Sequence, residues 1–352
     1  MKLLLNTESI KYPLTGIGNY TLSLLTEFLH FSELEDIHCN NGRGWEPASL
    51  ELFVGAEEIR VGNTRAALKQ ELLLRAREYI RSVPYAYKVR SYFHSRRFRS
   101  IPNGSAIYHE PNFILKPLEI ASVVTVHDLS FLKHPEYHPA ERVKWLTSNI
   151  GKTLSTAKNV IVDSDAVRVE ILERYNLHPD RVHSIHLGVD GTFFRPICMN
   201  QRGSVLSKLG LKDKKYVLFI GTLEPRKGID KLLAAWKALP NRITQEYTLV
   251  LSGANGWKNS VLLRQIYALE SSGLVKFLHY VPKSYLPSLY SGAACFVFPS
   301  VYEGFGLPVL EAMSCGCPVI IGKGTAMEEF VGSAGLVLDN LGEECLSTGI
   351  SF

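Results

Sequence analysis

Short runs of Val, Ile, Leu and Phe recur along the chain, each followed by a longer stretch with apolar residues at helical spacing. In the first half the runs are "KLLLNT", "SAIYHEP", "SVVTVHDL", "NVIVDS" and "RVHSIHLGV". In the second they are "KYVLFIGTL", "YTLVLSG", "KFLHYV", "ACFVFPS", "PVIIG" and "AGLVLD". Continuous apolar strands separated by helices are the pattern of parallel sheets covered on both faces. The pattern predicts an α/β protein with two doubly wound domains. A polar stretch poor in strand signals, "DGTFFRPICMNQRGSVLSKLGLKD", separates the two series. The expected division is residues 1–190, a linker at 191–213, and residues 214–352. No internal repeat is visible.

The length of 352 residues suits two such domains, each with its own core. No run of about 18 uncharged apolar residues is present, so no membrane-spanning helix is expected. The opening "MKLLLNTESIKYP" has too short an apolar core for a signal peptide and reads as a first strand. Six scattered cysteines (Cys39, Cys198, Cys295, Cys315, Cys317, Cys345) form no C-x-x-C pair. They fit reduced thiols in a cytoplasm better than a zinc site or a disulfide scaffold. Net charge is +5, unevenly placed: residues 69–100 hold nine Lys or Arg against two Glu, an excess of seven, leaving −2 for the rest. There the basic residues alternate with Leu, Ile, Tyr and Phe, a composition suited to an anionic membrane surface, or to solvated helices with one buried face. No nucleic-acid module accompanies it.

In doubly wound sheets ligands bind beyond the carboxyl ends of the strands, so chemistry is sought in the turns there. In "PLTGIGNYTLSLL", Gly16 and Gly18 open a helix and would let its N–H groups approach an anion; a plain tight turn is the alternative. In "IGTLEPRKGIDKLL", Arg226 and Lys227 stand before a helix N-terminus, where each cation is disfavoured by about 0.3–1 kcal/mol. A bound diphosphate would remove that penalty, and the pair would stabilise it as a leaving group. A solvated basic turn partnered by Glu224 is the other reading. In "SVYEGFGLPVLEAMSCGCPVI", Gly304 and Gly306 free the backbone and Pro308 suits a first helical turn, so N–H groups from Phe305 to Val309 can meet ligand oxygens. Glu303 and Glu311 flank that turn, and carboxylates accept hydrogen bonds well from sugar and ribose hydroxyls. A solvated loop acid at Glu303 and a dipole-favouring acid at Glu311 are the other readings. His127, beside Asp128, follows another strand; His109 and Glu110 follow a further one, where structural use is expected.

Together these stretches resemble the retaining glycosyltransferases of family 4, on the GT-B fold of two Rossmann-like domains facing across a cleft. The likeness runs through "TGIGNYT", "VHDLSFLKHPEYH", "GVDGTFFRP", "GTLEPRKGIDKLL", "LSGANGWK", "VPKSYLPSLYSGA", "PSVYEGFGLPVLEAMSCGCPVI" and "GSAGLVLD". Its most specific element is the glutamate pair Glu303 and Glu311 with seven residues between them. The resemblance implies an N-terminal acceptor domain, a C-terminal nucleotide-sugar domain and transfer without a catalytic metal or other cofactor. It implies that Glu303 and His127 meet the donor sugar and that Arg226 and Lys227 bind the diphosphate. Gly16 would abut the phosphates, backbone from Gly304 through Phe305 and Gly306 to Leu307 would meet sugar and phosphate, and Glu311 would hold the ribose.

The resemblance further implies a bacterial mannosyltransferase-like activity. GDP-mannose is the expected donor, with UDP-glucose as the other, and a lipid-linked saccharide of O-antigen or another surface polysaccharide is the expected acceptor. Residues 69–100 would then lie on the inner face of the cytoplasmic membrane. Two departures stand out: Thr222 where many relatives carry arginine, and an end 41 residues after Glu311. The second leads one to expect a frayed C-terminal domain, or a truncated, non-catalytic membrane partner. A glycoside hydrolase would also use paired carboxylates, but has no use for Arg226 and Lys227.

Overall fold

The structure is a computed structural model that describes residues 1–11, 14, 16–50, 106–116 and 118–351. The basic segment 69–100 lies outside the described residues. Two sheets account for the strands. The first comprises β1 (Lys2–Asn6), β2 (Asp36–Asn40), β3 (Trp45–Pro47), β4 (Ala106–Glu110), β5 (Ser122–Thr125), β6 (Asn159–Val162) and β7 (Val182–Ser184). Their order is β3-β2-β1-β4-β5-β6-β7, with β3 antiparallel to β2 and β1 parallel to both β2 and β4. The second comprises β8 (Lys215–Ile220), β9 (Tyr247–Ser252), β10 (Val275–Phe277), β11 (Cys295–Phe298), β12 (Val319–Gly322) and β13 (Leu336–Leu338). Its order is β10-β9-β8-β11-β12-β13, parallel at every pairing.

This is the doubly wound layout the apolar runs predict. In β8, Tyr216, Val217, Leu218 and Phe219 are all buried in succession, as a strand covered on both faces requires. Phe219, Phe298 and Phe296 form a stacked file through the centre, with ring centroids 5.6 and 5.7 Å apart. The helix Ile229–Ala238 closes one face with Ile229, Leu232, Leu233, Ala235 and Trp236, the stripe expected of a 3.6-residue period. Burial of each such large side chain stabilises the fold by roughly 1.5–3 kcal/mol.

The sequence reading had not foreseen β2 and β3. Their strands, "DIHCN" and "WEP", are short and carry polar residues, and their pairing is set by the turn at 41–44, where Gly42 has φ 93° and its N–H bonds to Asn40 Oδ1 at 2.8 Å. His109 and Glu110 are the last residues of β4 itself rather than following it.

By compactness the chain divides into two units. One contains Met1–His127, Lys144–Ile161 and Ile171–His183; the other contains Asp128–Val143, Val162–Glu170 and Ser184–Phe352. The second unit thus takes in two short segments from the first half of the chain. The fraying expected near residue 350 is not what the described residues show. The helix Glu343–Ser351 packs on Ile229–Ala238 with Leu346 fully buried. All six cysteines are free thiols. No helix among the described residues is long and apolar enough to cross a membrane.

Candidate active site

In the second sheet the strand order reverses between β8 and β11, the switch point where doubly wound sheets open a crevice. The loops leaving these two strands are residues 221–228 and 299–306. The first closes with a 3-10 turn, Pro225–Lys227, and then Gly228, whose φ of 64° starts the helix Ile229–Ala238. A Cβ on Gly228 would lie 2.1 Å from the Pro299 carbonyl oxygen, so the loops touch backbone to backbone there. They are also bonded: Val301 N–H donates to the Arg226 carbonyl at 2.9 Å, and Arg226 Nη1 donates to the Tyr302 carbonyl.

Three residues singled out in the sequence meet in this frame. Lys227 Nζ lies 2.6 Å from Glu303 Oε1 and Arg226 Nη1 3.2 Å from Glu303 Oε2. Arg226 Nη2 adds a bond to Glu224 Oε1 at 3.0 Å, and Ser300 Oγ donates to Glu303. Lys227 also sits 4.8 Å over the Phe298 ring. Arg226, Lys227 and Glu303 are only 8–9% exposed, so this is not a solvated basic turn. Burial alone would raise the Glu303 carboxyl, but Arg226 and Lys227 outweigh it and hold it at about 2. Burial would likewise lower Arg226; Glu303, Asp128 and Glu224 hold its guanidinium firmly charged.

The glycine turn is built as its sequence suggests. Gly306 has φ 108° and caps the helix Leu307–Ser314, with Pro308 in its first turn. A Cβ there would strike Met327 at 2.5 Å. Gly304 is buried, Leu307 is part-buried, and Phe305 is fixed by stacking on Phe330 at 4.7 Å. Glu311 stands apart from the cation cluster, with Tyr290 Oη donating to it at 2.9 Å. Burial pushes the Glu311 carboxyl up to about 7, against the opposing pull of Tyr290 and Lys283.

Gly16 and His127 belong to the other unit. Gly16 is exposed and begins the helix Gly16–His30, with no atom of the described residues within 4 Å of a Cβ built on it. Gly18 is the glycine that packing demands: a Cβ there would sit 2.9 Å from the Ser9 carbonyl oxygen. His127, two residues past β5, is buried between the edges of Tyr20 and Phe113, at 4.8 and 5.8 Å. Its Nε2 lies 2.9 Å from the Pro111 carbonyl oxygen, which only accepts, so Nε2 carries the hydrogen. Glu110 closes the switch point of this sheet, accepting from Asn6 Nδ2 at 2.8 Å and Tyr108 Oη at 2.7 Å, the structural use expected of it.

Sequence reasoning passed over Ser300, Tyr302 and Tyr290. The first two lie inside the quoted motif, but nothing in spacing distinguishes a residue that orients a carboxylate from a packed neighbour. Tyr302 Oη accepts from Leu129 N–H at 3.1 Å and donates to Glu170 at 2.7 Å, partners more than 130 positions away.

For a metal, one triad among the described residues brings ligand atoms within 4.8 Å of one another: Asp165, His186 and Glu329. Both Glu329 oxygens are engaged, accepting from the N–H groups of Asp165 at 2.9 Å and Ala166 at 2.7 Å, with His186 Nε2 at 2.9 Å. The carboxylate caps the helix Asp165–Tyr175, whose positive end opposes a cation.

Comparison with known proteins agrees with this geometry. Residues 205–344 match the family of glycosyl transferases group 1, and residues 51–193 match Glycosyltransferase Family 4. The O-antigen chain mannosyltransferase B of Escherichia coli is 37% identical over 353 residues, which cover 99% of this chain and 90% of that one. Among solved structures, the lipopolysaccharide-biosynthesis glycosyltransferase WaaG superposes with TM-score 0.67 at 15% identity, covering 99% of this chain and 89% of that one. A sucrose-phosphate synthase from Thermosynechococcus elongatus gives 0.66 at 21% identity, covering 100% and 89%. These two likenesses establish the fold, and the full-length relative establishes the lineage: the chain belongs to the family 4 glycosyltransferases and has the GT-B architecture of two Rossmann-like domains.

Proposed function

We propose that this glycosyltransferase moves mannose from GDP-mannose, with retention at the anomeric carbon, to a lipid-linked saccharide of O-antigen or a related surface polysaccharide. The observation that carries the reading is the 37% identity with an O-antigen chain mannosyltransferase along nearly the whole chain. The chemistry at the β8/β11 switch point is consistent with it. Arg226 and Lys227 supply two fixed positive charges in a buried setting, where they act on a diphosphate far more strongly than in water. As the bond between sugar C1 and phosphate oxygen breaks, these cations take up the leaving charge without a metal. Glu303, kept ionised, faces the positive charge developing on the sugar. The acceptor oxygen bonds to C1 on the same face, and its proton passes to the departing phosphate oxygen, so no enzyme nucleophile is needed. Gly16 and His127 are assigned to the phosphates and the donor sugar, and the backbone at 304–307 with Glu311 to sugar, phosphate and ribose. Residues 69–100 are assigned to the anionic membrane that carries the acceptor.

The test is transfer to lipid-extracted acceptor from GDP-mannose, UDP-glucose and ADP-glucose in parallel, with and without EDTA, with the product anomer read by NMR. Transfer of mannose alone, unchanged by EDTA and giving an α-linkage, is expected. Transfer from UDP-glucose but not GDP-mannose would overturn the donor assignment, and a β-linked product would overturn retention.

A further inference from the structure

Ten residues past Asp128, in the stretch "HPEYHP", His138 is 3% exposed and neither ring nitrogen has a hydrogen-bond partner among the described residues. It ends the 3-10 turn Pro135–Tyr137 and is held there by its backbone N–H on the Pro135 carbonyl at 3.1 Å. Its ring lies 5.6 Å from that of Trp257, tilted by 38°. Trp257 is itself anchored, donating from Nε1 to the Tyr137 carbonyl at 2.6 Å, and Lys258 Nζ reaches the Glu136 carbonyl at 2.7 Å. The imidazole is thus in a fixed place, with two buried polar atoms that are costly to leave unmatched.

The surroundings say what would match them. The charges that act on His138 are those of Arg142, Asp128, Arg226 and Lys258. Arg226 Nε and Glu224 Oε2, on residues joined to each other at 3.0 Å, are likewise buried with no hydrogen-bond partner among the described residues. Arg226 offers a donor and Glu224 an acceptor. Burial, then Arg142, pulls the imidazole down to about 4, so it is neutral at physiological pH, with one donor and one acceptor nitrogen. The charges around the ring are of mixed sign, Asp128 against Arg142, Arg226 and Lys258, so neither a second anion nor a cation is favoured there. A hydroxyl, which donates once and accepts as well, suits a neutral imidazole.

We infer that His138 is a sugar-contacting, specificity-determining residue, with one ring nitrogen hydrogen-bonded to a hydroxyl of the transferred hexose or of the acceptor saccharide. The inference rests on the transferase reading of the Arg226 site but not on which hexose is moved.

The experiment compares His138→Phe, which keeps a planar ring and removes both nitrogens, with His138→Gln, which restores a donor and an acceptor. A donor panel on the wild-type chain comes first, and the variants are assayed with whichever donor it uses. Failure of the mannose assignment therefore appears in the wild type, and failure of this inference in the variant-to-wild-type ratio. The expected result is a loss of kcat/KM of roughly tenfold or more in His138→Phe, substantial recovery in His138→Gln, unchanged affinity for the nucleoside diphosphate, and a Tm no lower than wild type. A loss seen in the donor-sugar KM assigns the hydroxyl to the hexose, and one seen in the acceptor KM assigns it to the acceptor. Transfer within twofold of wild type in His138→Phe would overturn the inference. So would a parallel fall of Tm and transfer in both variants, which marks a purely structural histidine.

Discussion

The two glutamates of the motif, alike in sequence, are set to opposite purposes by their neighbours. Glu303, held at about 2 by Arg226 and Lys227, is ionised at any working pH. Its folded value lies below the unfolded one, so its stabilisation is present above about 4.5 and is lost as the pH falls towards 2. Glu303→Ala takes from Lys227 the carboxylate 2.6 Å away and leaves Arg226 with Glu224 alone. We expect transfer to be abolished and stability to fall by about 3–5 kcal/mol, whereas Glu303→Gln, tested by the same assay and by denaturant titration, should lose transfer with a smaller stability change. Glu311 is the converse. Its folded value of about 7 is raised above the unfolded one, so ionisation costs stability increasingly as the pH rises from 4.5 through 7. If its carboxylate accepts ribose hydroxyls, nucleotide affinity should weaken as the pH drops from 8 to 6. Glu311→Gln should abolish that dependence in calorimetry while raising stability at pH 8 by roughly 1–2 kcal/mol. A pH-independent affinity in the wild type would remove Glu311 from the ribose.

At the scale of elements, the glycines separate what the fold needs from what a ligand needs. Gly228 combines φ 64° with a Cβ position 2.1 Å from a carbonyl oxygen, so Gly228→Ala should part the β8 and β11 loops and cost about 2 kcal/mol or more, read as a lower Tm. Gly16→Ala meets no atom of the described residues, so Tm should hold or rise slightly with helix propensity. If that helix start abuts the donor phosphates, the same change should raise the donor KM by roughly tenfold. An unchanged KM would return Gly16 to the role of a plain turn. The same elements show how far the sequence could be read. The buried strands of both sheets were legible because their apolar runs are continuous, and the switch-point loops because glycine, proline and paired charges are concentrated there. β2 and β3 were not, since "DIHCN" owes its place to pairing with β1 rather than to its own pattern. Arg226, Lys227 and Glu303 could be named separately, but their mutual pairing is made 76 positions apart and no local spacing encodes it.

For the whole molecule, the nucleotide-binding reading has a thermodynamic consequence. A ligand bound only by the folded state, at one hundred times its Kd, stabilises it by about 2.7 kcal/mol. GDP in EDTA should therefore raise Tm by several degrees, with amide exchange slowed around residues 226–230 and 303–309. GDP that shifts neither would count against a metal-independent site at the β8/β11 loops.

The second unit draws on segments 128–143 and 162–170, made well before the rest of it. Trp257 binds the carbonyl of Tyr137, Tyr302 binds Glu170, and Glu329 caps the helix that begins at Asp165, across sequence separations of 120, 132 and 164 residues. On a ribosome adding roughly 5–20 residues per second, the start of that helix emerges about ten to thirty seconds before its cap exists. During that interval the nascent chain exposes a half-assembled surface, so a slowed ribosome or a missing chaperone should harm the yield of this enzyme more than its final stability would suggest.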